Sequence, residues 1–191
     1  MLARENPFRT EVLQCHRYRF KHGDTMEQLT ARFRQMDFRG AIVGPKGRGK
    51  TTLLNDFCQH LNESGEITTG LRLNQSQRPQ AMALCEELLA RAPLQAIVVI
   101  DGAEQLGWLQ WRKIARRVKP FRGLLVTTHR SGRLAKLVRC ETNLELLQDL
   151  VRAMAPAEFD EVRQDLDALF RRHRGNFREC LRGLYDQYAC R

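Results

Sequence analysis

Apolar positions along this chain switch between two periods. Met26, Leu29, Phe33 and Met36 recur every three or four residues, which predicts a helix with one buried stripe. Asp24 stands just ahead of it with Glu27 three residues on, a capping-box spacing that sets the expected helix start at Asp24. A short apolar run at 40–43 then reads as a strand and leads into a glycine-rich loop, and residues 50–61 read as a helix. The alternation continues with a strand at 68–73 and a helix at 79–90 that turns Met82, Cys85, Leu88 and Leu89 inward. A strand at 95–101, a basic helix at 108–118, a strand at 123–128 and a fifth strand at 137–141 follow. Residues 96–100 are apolar at every position, the pattern of a strand covered on both faces in a parallel sheet. From Thr142 the pattern is helical only, over 144–154, 157–172 and 176–188. Residues 10–20 mix strand formers with charges and predict a short edge strand or an extended lead-in.

Strands alternating with helices, followed by helices alone, predict an α/β fold. The expected architecture is a parallel five-stranded sheet flanked by helices in three αβα layers, with a C-terminal helical lid. The expected division is a lead-in strand and helix over 1–37, a nucleotide-binding core over 38–142 and the lid over 143–191.

The loop after the first core strand carries the most specific chemistry. Gly44-Pro45-Lys46-Gly47-Arg48-Gly49-Lys50-Thr51 matches G-x-x-x-x-G-K-[ST], and Thr52 continues it into a helix. Glycines let backbone N–H groups turn inward around an anion, and the helix that starts near Lys50 adds the positive end of its dipole. Lys50 is expected to reach the β- and γ-phosphates and the Thr51 hydroxyl to ligate magnesium, so ATP and Mg2+ are the expected ligands. Lys46 and Arg48 add charge within the loop and either touch phosphate or face solvent.

Asp101 closes the apolar strand, where a carboxylate either holds the magnesium through water or caps the helix that follows. The next residue is Gly102 rather than an acid, and the nearest carboxylate is Glu104. Glu104 is either the group that activates water or a first-turn residue favoured by a helix dipole. The strand at 123–128 ends in Thr127, Thr128 and His129. Ligands gather at the carboxyl ends of parallel strands, so these three read the γ-phosphate or position water, unless they merely end the strand. Arg130 and Arg133 follow, as candidates to supply charge to a γ-phosphate or as surface arginines.

In this order, the phosphate loop, Asp101 and Thr127-Thr128-His129-Arg130 resemble the additional-strand P-loop ATPases, the AAA+ and STAND groups. The segment LLVTTHR is similar to the LVTTR sensor of STAND proteins, with a histidine inserted before the arginine. It also resembles the switch-histidine strand of ABC ATPases, but no LSGGQ-type signature stands between Ser64 and Asp101. Gly175-Asn176-Phe177-Arg178 resembles the G-x-x-R motif that opens a lid helix in AAA+ proteins, which implies that Arg178 reaches the γ-phosphate from the lid. Asn6-Pro7-Phe8 resembles the segment ahead of the first strand that lines the adenine pocket in related ATPases, or it anchors Phe8 in a core. The overall layout is similar to small bacterial ATP-binding proteins.

Composition narrows the setting. With 42% hydrophobic residues in 191, the chain has enough for a core. No apolar run approaches the roughly 20 residues of a membrane span, and the N-terminus lacks a secretory apolar stretch, so a cytoplasmic protein without a membrane partner is expected. Six cysteines include no C-x-x-C pair, and Cys15-His16 is answered by no second pair, so reduced thiols rather than a zinc site are expected. A net charge of +10 suits nucleic acid, acidic lipid, the nucleotide itself or a plain solvated surface.

Three readings follow. The first is a slow AAA+/STAND-like ATPase whose lid motion acts on a protein partner, alone or in an oligomer. The second is an ATP-gated adaptor without hydrolysis. The third is a nucleic-acid-associated ATPase of loader or transposition-regulator type, motivated by Arg112, Lys113, Arg116, Arg117 and Lys119. A small-molecule kinase ranks last, because no acceptor motif is visible.

Overall fold

A computed structural model describes residues 6, 8, 17–20 and 24–189. The first helix among the described residues, α1 (Met26–Gln35), starts two residues after Asp24, with its cap one residue later than the sequence suggested. Thr25 is the N-cap: its hydroxyl accepts from the Gln28 N–H, and the Gln28 side chain accepts from the Thr25 N–H. Asp24 instead pairs with Arg32 at 3.2 Å. Leu29 and Phe33 are buried as the stripe requires. Of the lead-in strand expected over 10–20, residues 10–16 lie outside the described residues, and 17–20 form no strand.

Five strands follow in the chain: β1 (Arg39–Val43), β2 (Ile67–Arg72), β3 (Ala96–Asp101), β4 (Gly123–Thr128) and β5 (Lys136–Arg139). They form one sheet in the order β2-β3-β4-β1-β5, and every neighbouring pair is parallel. β4 therefore lies between β1 and β3. The ends of β1, β3 and β4 stand side by side, with Val43 opposite Thr128 and Ile100 opposite Val126. That edge is where a parallel sheet presents ligand-binding residues.

Helices α2 (Lys50–Glu63), α3 (Ala81–Arg91) and α4 (Trp108–Arg117) cover the sheet. Alternate strand residues divide between its faces. Ala41, Val98, Ile100, Leu124 and Val126 pack with Cys85 of α3 and with Trp111 and Ile114 of α4. Ile42, Ile97, Val99 and Leu125 pack on the other face with Phe33 of α1 and with Leu53, Phe57 and Leu61 of α2. The expected helix at 79–90 is shifted: Pro79 lies in a 3-10 turn (Gln75–Gln80), and the α-helix begins only at Ala81. Removing the side chain of a fully buried residue such as Phe57 or Ile97 is expected to cost about 2–5 kcal/mol.

Three helices end the chain, α5 (Leu144–Met154), α6 (Phe159–Arg172) and α7 (Phe177–Ala189). They have their own core of Leu147, Val151, Leu166, Cys180 and Leu184. Phe8 joins that core, 2% exposed and edge-on to Tyr188, while Asn6 donates to the Tyr185 carbonyl at 3.0 Å. Phe8 is thus an anchor of the C-terminal helices and lies away from the cavity described below; Pro7 lies outside the described residues. No described helix is long and apolar enough to cross a membrane. Cys58, Cys85, Cys140 and Cys180 are free thiols, whereas Cys15, His16 and Cys190 lie outside the described residues.

Candidate functional site

The loop between β1 and α2 turns sharply because Gly47 and Gly49 both adopt left-handed φ, 75° and 78°. An L side chain is strained there, so glycine is required for the loop to close over its own centre. α2 begins at Lys50, which points the positive end of the helix into the loop. The loop borders a cavity of about 510 Å³ at the carboxyl edge of the sheet.

The expected phosphate- and metal-binding groups converge on that cavity. Lys46, Gly47, Arg48, Gly49, Lys50, Thr51 and Thr52 line it, while Gly44 and Pro45 stand behind them. The Lys50 ammonium is buried and donates to the Pro45 carbonyl at 3.0 Å. Burial pulls its pKa below the ordinary lysine value, opposed by the charges of Glu104, Cys140 and Asp101. Thr51 Oγ1 donates to Asp101 Oδ2 at 2.9 Å. Thr127 Oγ1 donates to the other carboxylate oxygen at 2.6 Å and accepts from the Gly102 N–H at 2.8 Å. Asp101 is thereby held as an acceptor beside the loop hydroxyl.

These residues fit the ligand set expected of magnesium. A hydroxyl and a carboxylate are hard oxygen donors, and Mg2+ is held by one or two such groups with water and substrate phosphates rather than by an all-protein cage. No group of three His, Cys, Asp or Glu residues suited to a metal occurs among the described residues.

Glu104 reaches the same cavity from a short 3-10 turn (Ala103–Gln105). Its Oε1 lies 3.1 Å from His129 Nε2, and its buried Oε2 has no hydrogen-bond partner. Burial lowers the His129 pKa, with the Glu104 charge acting the other way and Lys50 and Lys46 adding to the depression. A glutamate between a histidine and a buried lysine, with one oxygen unspent, is a group able to take a proton from water. Gly102, at the position where an acid was missing, has φ 88°, and a Cβ there would overlap the Leu73 carbonyl oxygen.

Two expectations at the end of β4 change. Thr128 does not reach the cavity, because its hydroxyl donates to the Arg130 carbonyl at 2.8 Å; Thr127 faces the cavity in its place. Side chains alternate along a strand, so only one of two adjacent threonines can point at Asp101. Neither Arg130 nor Arg133 lines the cavity. Arg133 donates to the Leu106 carbonyl at 2.5 Å and lies over the Trp111 ring.

Arg178 lines the cavity from the first turn of α7, and its charge bears on Lys50. The turn before α7 packs directly on the phosphate loop: the Phe177 N–H donates to the Gly47 carbonyl at 3.1 Å, and the Asn176 side chain fills the space beside Gly47. Arg48 borders the cavity, but its guanidinium is turned to the C-terminal chain. Its guanidinium donates to Thr142 Oγ1 and, at 2.5 Å, to the Arg174 carbonyl, which ties the loop to the C-terminal helices. Thr142 Oγ1 in turn donates to the Gly175 carbonyl at 2.8 Å.

Sequence reasoning missed seven residues that line the cavity. Arg72 and Asn74, at and just past the end of β2, line the cavity. So do Arg17, Tyr18 and Arg19, and Leu146 and Leu150 of α5. Arg72 stands one residue before the end of the strand expected over 68–73, but only the pairing of β2 with β3 brings it to Asp101.

A parallel sheet in this order, with a glycine loop after β1, a carboxylate ending β3 and three helices behind, is the fold of the P-loop NTPases in the form shared by AAA+ ATPases. One solved structure, at a TM-score of 0.50, is similar in fold, and two others are similar below that score. A lysine-to-arginine mutant of Thermotoga maritima RuvB is 19% identical, with a TM-score of 0.50, over 82% of this chain and 58% of that one. The Thermotoga maritima RuvB Holliday junction branch migration motor matches at 18% identity and a TM-score of 0.47 over the same shares of both chains. C. elegans PCH-2 matches at 17% and 0.48, over 69% of this chain and 46% of that one. The chain thus spans about half of these larger proteins. No protein-family model matches it, and no curated protein does.

Proposed function

We propose that this protein binds ATP with Mg2+ at the phosphate loop and hydrolyses it slowly, using closure of its C-terminal helices to act on a protein partner. The observation that carries the reading is the meeting of Lys50, Thr51 and Asp101 at one cavity, with Thr51 Oγ1 and Asp101 Oδ2 2.9 Å apart. In this reading Lys50 and Arg178 hold the phosphates, and Thr51 and Asp101 hold the metal. Bound magnesium would neutralise charge on the transferring phosphoryl group. Glu104 accepts the proton of the attacking water, with His129 fixing its other oxygen. Tyr18 and Leu150, which line the cavity, flank the base.

The core over 38–142 then carries the nucleotide and the helices from 143 act as the lid. The Arg48–Thr142 and Gly47–Phe177 contacts support this division, since they let a change at the phosphates reach the helices directly. Turnover by the purified protein, compared with Lys50→Ala, tests the proposal: phosphate release abolished by the substitution supports it, and equal rates refute it.

A second reading, an ATP-gated adaptor without hydrolysis, is favoured by Gly102, which removes the acid from its usual place. Partner binding that needs ATP and survives Glu104→Gln would support the adaptor over the ATPase. A nucleic-acid role finds less support. On the basic helix, Lys113 and Arg117 both sit on Glu86, at 3.2 and 2.6 Å, and Arg112 stacks on Trp108.

A further inference from the structure

The two oxygens assigned to the metal already face a cation. Arg72 ends β2, and its Nε lies 3.2 Å from Asp101 Oδ2 while its Nη2 donates to Thr51 Oγ1 at 3.3 Å. A guanidinium presents its donors in a rigid planar fork, and here the fork spans the hydroxyl and carboxylate pair. Folding does not require this contact. Asp101 already accepts from Thr51 and Thr127, one bond to each oxygen. The Arg72 side chain is 61% exposed, against 11% for Asp101, so it enters from the cavity side and is free to leave.

We propose that Arg72 is a built-in counter-cation of the phosphate site. It holds Thr51 and Asp101 when no metal is present, and it turns its donors to the terminal phosphates of a nucleoside triphosphate that arrives without metal. Guanidinium and phosphate pair in a charge-assisted, often two-pronged geometry. A divalent ion at Thr51 and Asp101 would repel a guanidinium a few ångströms away, so metal and Arg72 exclude each other from those oxygens. The site therefore takes the free polyphosphate as well as its magnesium complex, and Arg72 decides how strongly binding depends on metal. This inference rests on the nucleotide-binding reading above.

Calorimetric titration of the full chain with ATP tests it, run once in EDTA and once in excess Mg2+, for the parent, Arg72→Ala and Arg72→Lys. The parent is expected to bind in both conditions. Arg72→Ala should weaken binding in EDTA about tenfold or more while leaving the Mg2+ value unchanged or tighter, which also shows that the variant is folded. Arg72→Lys, keeping the charge and losing the fork, should fall between them. An unchanged ratio of the two affinities in Arg72→Ala overturns the proposal, as does an equal loss in both conditions. A parent that binds with Mg2+ and not in EDTA overturns it while leaving the nucleotide-binding reading intact. A parent that binds in neither condition overturns both.

Discussion

Two regions of this molecule are rich in positive charge, and they use it differently. Around the cavity, Lys46 and Lys50 of the phosphate loop, Arg72 and Arg178 come from three separate stretches of chain and face one volume of about 510 Å³. On α4, Arg112, Lys113, Arg116 and Arg117 come from one stretch and spread over the outer face of a helix. At the cavity the carboxylates are few: Asp101 takes two hydroxyls and Arg72, and Glu104 faces His129 with one oxygen and keeps the other without a partner. On α4, Glu86 of the neighbouring helix accepts from Lys113 and Arg117, both half-exposed. Cations that converge make a site for an anion, whereas a run of like charge along a helix mostly makes a solvated surface.

The contrast can be tested by substitution. The largest effect is expected from Glu104→Gln, which should lower ATP turnover about 100- to 10,000-fold while nucleotide affinity holds, measured by phosphate release and calorimetry together. Next comes Lys50→Ala, expected to weaken ATP binding about 10- to 100-fold, because it removes a charged donor from a desolvated loop. A smaller loss is expected from Arg48→Ala. It should lower unfolding stability by about 1–2 kcal/mol and speed amide exchange at residues 174–177, because the Thr142 and Arg174 acceptors lose their donor.

A pH effect follows from His129. Its pKa is lowered by burial, so the unfolded chain takes up a proton more readily than the folded one. The associated stability is complete above about pH 6.5, the ordinary histidine value, and is lost as pH falls through the lower folded value. Turnover should decline in the same acid window, since a protonated His129 makes Glu104 a poorer base, and His129→Gln should remove that acid limb from the pH–rate profile. Smallest of all, Lys113→Ala on α4 should change stability by less than about 1 kcal/mol and leave ATP binding unaltered. A Lys113→Ala variant that lost nucleotide affinity would erase the distinction between the two regions.

The sheet and its helices were legible in the sequence because both signals are local. A fully apolar run such as Ala96–Ile100 marks a central strand, and a motif such as Gly44–Thr51 carries its own turn chemistry. The helix starts were legible only to within a residue or two: Thr25 displaced Asp24 as a cap, and Pro79 delayed α3 by a 3-10 turn. At the site, residues in motifs were found and residues placed by topology were not. Arg72 meets Asp101 only because β2 lies beside β3 in register, with Arg72 opposite Asp101. Which of Thr127 and Thr128 faces inward depends on the phase of β4, and the sequence leaves that phase open. The turn of Arg48 toward Thr142 and Arg174 depends on distant chain returning to the loop, which no local pattern records.

The backbone at Gly102 also constrains how the proposed hydrolysis could be made faster. With φ at 88° and the Leu73 carbonyl where a side chain would start, position 102 is closed to any carboxylate. An engineer seeking higher activity gains nothing by grafting an acid directly behind Asp101; the adjustable part lies two residues downstream, in the reach and tilt of the Glu104 arm.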